Sequence, residues 1–114
     1  MSLWSPALPA ISAKDLSQTS GTGSIVVLSW AVWDPGSRRL DVWLTQSADD
    51  YANLIFYAMD LDLEQNWPLA KEWGIMNTPS LVCLVSGVFQ ELLTGGGLEP
   101  RLRAKLKEWN HPAD

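Results

Sequence analysis

The sequence predicts an α/β sandwich built on a mixed β-sheet, and three observations carry that expectation. Continuous apolar, β-branched runs alternate with stretches whose apolar residues recur at helical spacing, which is how strands covered by crossover helices read. The last two strand-like runs are separated only by Ser86-Gly87, so the chain closes on an antiparallel hairpin. A length of 114 residues makes one domain, 1–114, large enough to bury a single core.

The elements follow in order. A short first strand is expected over Ala7–Ile11 and a brief helix over Ala13–Gln18, before the flexible turn Ser20-Gly-Thr-Gly-Ser24. Ser24–Trp30, SIVVLSW, reads as a central strand covered on both faces. Asp34-Pro35 reads as a helix start: Asp caps the free amides, and Pro at the first helical position loses no needed donor. Leu40, Trp43, Leu44, Ala48 and Tyr51 then mark a buried helix face. Leu54–Met59 reads as a second buried strand, and Trp67–Trp73 as a short helix with Pro68 near its start and Gly74 at its end. The hairpin is expected from Leu81–Val85 and Val88–Leu92, and Gly95–Gly97 breaks the chain before a last helix over Glu99–Trp109. Residues 1–6 and 110–114 read as flexible ends.

Composition excludes several classes. A hydrophobic fraction of 46% with 18% charged residues describes a soluble globular chain. A net charge of −5 argues against a nucleic-acid binder. The basic run Arg101, Arg103, Lys105 and Lys107 reads as the solvated face of a helix whose other side is Leu98, Leu102, Leu106 and Trp109. The N-terminus lacks a basic region ahead of an unbroken apolar run, and no apolar run approaches the roughly 18–20 residues of a membrane span. The lone cysteine, Cys83, permits no intramolecular disulfide. The cytoplasm is the expected location, with no membrane contact.

Two blocks carry a resemblance. Trp30-Ala-Val-Trp33, followed by four residues and a basic one, resembles the W-A-x-W-C-G-P-C-K segment of the thioredoxin family. Asp62–Asn66, Lys71–Ile75 and Thr78–Leu81 resemble that family's run from its third strand to the Pro before its fourth, and the spacing continues to Gly95 and the last helix. The resemblance spans about residues 24–109. It implies a three-layer thioredoxin-like sandwich and a cis bond at Pro79, bordering a peptide-binding groove. The groove residues it implies are Trp33, Asp34, Pro35, Gly36, Ser37, Thr78 and Pro79, with Trp67 a further exposed contact.

The family's chemistry does not carry over. Thiol–disulfide exchange needs an attacking thiolate and a second thiol to resolve the mixed disulfide, and those positions hold Asp34 and Ser37. The family's buried Asp in the second strand corresponds to Ser29, and its partner Lys to Asp60. Cys83 lies mid-strand in an apolar run and reads as an inert core thiol.

Other constellations are weak. Asp34 reads as a cap rather than a base. Asp60, Asp62 and Glu64 alternate on one side of a strand end but read as solvated or capping, and His111 lies in the tail. Gly95-Gly-Gly97 lacks the Lys-Ser/Thr of a phosphate loop. No metal, cofactor or Ser-His-Asp set is therefore expected. Among the seven tryptophans, Trp30, Trp43, Trp73 and Trp109 read as packing residues, whereas Trp33 and Trp67 read as exposed beside the groove.

The leading expectation is a redox-inactive domain that binds a protein or extended peptide. Some family members lacking the cysteine pair act as chaperones or assembly factors, including accessory proteins for hydrogenase maturation, and the resemblance permits such a role without selecting it. Two alternatives stand beside it: a homodimer or larger assembly that buries the extra tryptophans, and an enzyme of another class using Asp34 and Ser37.

Overall fold

The computed structural model describes residues 5–17, 23–94 and 98–110. Strand β1 (Ser24–Trp30) runs parallel to β2 (Leu54–Asp60) and antiparallel to β3 (Ser80–Val85), which returns as antiparallel β4 (Val88–Thr94). The order is β2-β1-β3-β4. Hydrogen-bonded on both edges and covered on both faces, β1 is buried at every residue, as its unbroken apolar run requires. The hairpin turn places both Ser86 and Gly87 at positive φ, 50° and 81°, the backbone that matches the twist of the flanking strands.

Side chains alternate across β1 and build two cores. Val26, Leu28 and Trp30 pack with Leu40 and Leu44 of α2 (Pro35–Ser47) and with Leu102, Leu106 and Trp109 of α4 (Leu98–Trp109). Ile25 and Val27 pack on the opposite face, with Leu16 of α1 (Ala13–Ser17) and Ala70 of α3 (Trp67–Glu72). This is the three-layer sandwich expected. Trp43 and Tyr51 pack at the margin of the first core and Trp73 at the margin of the second.

Two expectations need correction. Ala7–Ile11 is no strand: it meets β2 through one parallel bridge, Ala10 opposite Ala58. Ile11 N–H donates to the Ala58 carbonyl at 2.9 Å, and Ala58 N–H to the Pro9 carbonyl at 2.8 Å. Pro6 and Pro9 have no N–H to extend that ladder. The segment is held instead by Asp41, a carboxylate buried on α2 that accepts from Ala7 N–H at 2.9 Å and Leu8 N–H at 3.1 Å. Strand β2 is not buried throughout either, since Ile55 is half exposed. It lies on the face covered by α1 and α3, whose five and six residues span only about 8–9 Å, against roughly 23 Å for a seven-residue strand.

The glycine run Gly95–Gly97, most of the turn before β1 and the His111 tail lie outside the described residues. Among the described residues no helix is long and apolar enough to cross a membrane.

Candidate functional site

The site forms where β1 ends and α2 begins. Asp34 is the N-cap, extended at φ −95° and ψ 109°, with Pro35 at the first helical position. One carboxylate oxygen, Oδ1, accepts from Gly36 N–H at 3.0 Å, and the other, Oδ2, accepts from the Ser37 hydroxyl at 2.9 Å. Ser37 Oγ in turn accepts from Ala31 N–H at 3.4 Å. The positions matching the family's two cysteines are thus hydrogen-bonded to each other inside a helix cap, where orphan amides need acceptors.

Ser37 was expected along the groove, but its side chain is fully buried. Its hydroxyl is turned inward by the bond to Asp34, so it offers nothing to a partner or a substrate at the surface. Gly36 sits against Pro79: a Cβ there would come within 3.0 Å of the Pro79 ring and 3.3 Å of Asp34 Oδ1. A side chain there would need Pro79 to give way by a few tenths of an ångström. The Thr78–Pro79 bond is cis, as the resemblance implied.

A depression of about 640 Å³ opens beside this turn, with Trp33, Leu61, Trp67, Ile75, Met76 and Thr78 among its lining. Trp33 is 72% exposed, Trp67 54% and Met76 88%. Three large apolar side chains around one hollow form a patch unlike scattered surface residues. Trp67 is held by its indole N–H, which donates to the Leu61 carbonyl at 2.8 Å. The loop beneath is fixed by Leu61 N–H on the Trp30 carbonyl at 2.9 Å and by Val32 N–H on Asp62 Oδ2 at 3.3 Å.

The expected groove residues therefore divide. Trp33 and Thr78 line this hollow with Trp67, whereas Pro35 lines a separate one on the outer face of α2. Sequence reasoning missed Met76, Leu61 and Ile75. A Met two residues before Thr78-Pro79, in a loop rather than an apolar run, was the signal available.

Asp60, Asp62 and Glu64 do not converge. Asp60 Oδ1 accepts from Asp62 N–H at 2.8 Å, and the Asp60 carbonyl accepts from the buried Asn66 amide at 2.8 Å. Among the described residues no three His, Cys, Asp or Glu side chains are grouped to hold a metal.

The sulfur is elsewhere. Cys83 stands mid-strand opposite Val26 and Glu91, fully buried in the first core. Burial pushes its thiol up to about 11, helped by the negative charges of Glu91 and Glu108. At pH 7 about one molecule in ten thousand would carry the thiolate. Ser29, at the position of the family's buried Asp, is fully enclosed and its hydroxyl has no hydrogen-bond partner. A proton relay has no carboxylate there.

No protein-family model matches the chain, and no curated protein matches it. Solved structures do. The thioredoxin of Malassezia sympodialis superposes with a TM-score of 0.77 at 20% identity, over 97% of this chain and 96% of that one. Mitochondrial thioredoxin 3 of Saccharomyces cerevisiae, in its oxidized form, gives 0.74 at 17%, over 90% and 95%. At such identities the likeness establishes the fold.

Proposed function

We propose that this chain, a thioredoxin fold whose single cysteine is buried, is a redox-inactive module that binds an extended segment of another protein at the hollow between Trp33, Trp67 and Met76. The observation that carries the reading is the pairing of two features in one place. Large apolar side chains are presented to solvent around the hollow, while the adjacent Asp34 and Ser37 are committed to capping α2. Recognition surfaces of this kind concentrate binding energy in a few aromatic anchors. By resemblance to the family, the partner's backbone would pair with the chain just before Pro79, a form of strand addition. Release would then need no reductant, and the module would act as a chaperone or assembly factor. A reducing compartment, the cytoplasm, suits a chain with one enclosed thiol.

The test is quantitative affinity capture with the wild type and Trp33→Asp, followed by titration of the recovered partner. Loss of capture with retained folding supports the reading. Equal capture by both proteins contradicts it, and a stable homo-oligomer that buries Trp33 would replace it with the assembly alternative.

A further inference from the structure

Four residues of the chain carry sulfur: Met1, Met59, Met76 and Cys83. Met1 lies outside the described residues, and the other three occupy opposite environments. Met59 is fully buried in β2, within the second core, and Cys83 is fully buried in β3, within the first. Met76 is the reverse. It is the most exposed large apolar side chain among the described residues, and it lines the hollow with Trp33 and Trp67.

The backbone on either side holds Met76 in that position. Gly74 follows α3 at φ 78°, the left-handed conformation that glycine adopts without a Cβ penalty. Ile75 N–H then donates to the Ala70 carbonyl at 2.9 Å, and its side chain packs against the second core. On the other side, the Asn77 carbonyl accepts from the hydroxyl of buried Ser80. Met76 stands between two anchored neighbours, with its thioether presented to the hollow and to solvent. A leucine there would serve equally as an apolar contact, but it would lack the sulfur. The thioether lone pair attacks one oxygen of a hydroperoxide, and the O–O bond breaks as the S–O bond forms. A proton passes to the departing oxygen, which leaves as water when the oxidant is hydrogen peroxide. The sulfur gives up two electrons and the peroxide takes them. The product is a sulfoxide, polar and chiral where an apolar chain stood, and sulfoxide reductases return it to the thioether.

We propose that Met76 is a reversible oxidation site, and that its conversion to the sulfoxide by a hydroperoxide makes the hollow release its partner. This control presupposes that the hollow binds protein, and it acts on recognition instead of on thiol exchange. A sulfoxide oxygen holds hydrogen bonds to water that a partner's apolar surface strips without replacing. One of the three large anchors around the hollow thus turns from favouring the contact to opposing it. Met59, enclosed in the core, is shielded from the same oxidant while the chain is folded.

The experiment treats the full chain with hydrogen peroxide and reads two quantities separately. Peptide mapping by mass spectrometry follows the gain of one oxygen at each methionine. Amide chemical-shift titration follows binding of a short blocked peptide that alternates Leu with Thr. Met76 should be oxidised well before Met59, and the oxidised chain should bind the peptide at least about five-fold more weakly, as expected when one anchor is lost. Methionine sulfoxide reductases A and B, one for each epimer, should restore both the mass and the affinity. Met76→Leu should bind the peptide and be indifferent to peroxide, and Met76→Gln, polar without oxidation, should bind weakly from the start. Oxidation of Met59 as fast as Met76, or equal peptide binding before and after selective oxidation, would overturn the proposal. So would loss of binding by peroxide-treated Met76→Leu, since Met1 or a tryptophan would then be responsible. If the untreated chain shows no peptide-induced shifts at Trp33, Trp67 and 75–78, the binding reading itself fails and this control falls with it. That failure is recognisable because the mass readout would still show selective oxidation of Met76.

Discussion

The turn at the end of β1 and the middle of β3 are opposites in reactivity. At the turn, Trp33 is open to solvent beside a hollow, but the neighbouring positions hold Asp34 and Ser37, occupied with each other. In β3, Cys83 carries the one sulfhydryl but is sealed between two strands, with its thiol pushed up to about 11. One region has access without a thiol and the other a thiol without access. Exchange chemistry requires both in one place, so thiol–disulfide exchange is not expected of this thioredoxin fold.

The largest effect expected from breaking that contrast is a gain. Asp34→Cys with Ser37→Cys puts sulfur where the fold already gives access, and the variant should form a disulfide and reduce insulin measurably. Without a buried carboxylate at Ser29 it should remain slow. If the pair forms no disulfide on oxidation, the cap geometry has departed from the family's and the contrast is weaker than drawn. Leu44→Ala probes the enclosure itself: at full burial in α2 it should cost about 2–5 kcal/mol in denaturant unfolding. It should also make Cys83 reactive toward iodoacetamide, and a stable variant with an unreactive thiol would mean that Cys83 is shielded locally.

Cys83 also predicts a pH signature. Its ionisation is raised from 9.0 to about 11 on folding, so the unfolded chain releases this proton first. The thiol is therefore neutral to stability below pH 9. Between pH 9 and 11 the unfolded chain binds fewer protons, and stability falls by about 2–3 kcal/mol. Denaturation of the wild type and Cys83→Ala across that range isolates the slope, which the variant should lack. Equal slopes would mean that the sulfur is not buried in solution. The smallest effects concern the cap. Asp34→Ala should cost about 1 kcal/mol, and Gly36→Ala a comparable amount as Pro79 is forced to shift.

Most of the frame was legible because local signals and tertiary demands agree. The unbroken run Ser24–Trp30 could only be a strand covered on both faces, and Asp34-Pro35 could start α2 in only one way. The misses are of two kinds. Whether Ile55 is covered depends on the lengths of α1 and α3, and whether Ser37 is reachable depends on which way its hydroxyl turns. Met76 becomes part of a hollow only when Trp33 and Trp67 are brought beside it from other elements. The coverage of Ile55 and the place of Met76 are set by residues distant in sequence, whereas the Ser37 hydroxyl is turned by Asp34 three positions before it. The absent cysteines were legible at once, since composition alone excludes a dithiol.

The most direct measurement is insulin reduction in the presence of dithiothreitol, with the wild type, Cys83→Ala and a dithiothreitol-only control. If access and nucleophile are separated as the fold places them, all three traces coincide. Turnover by the wild type that disappears in Cys83→Ala would contradict the account, because the enclosed thiol would then be reaching substrate.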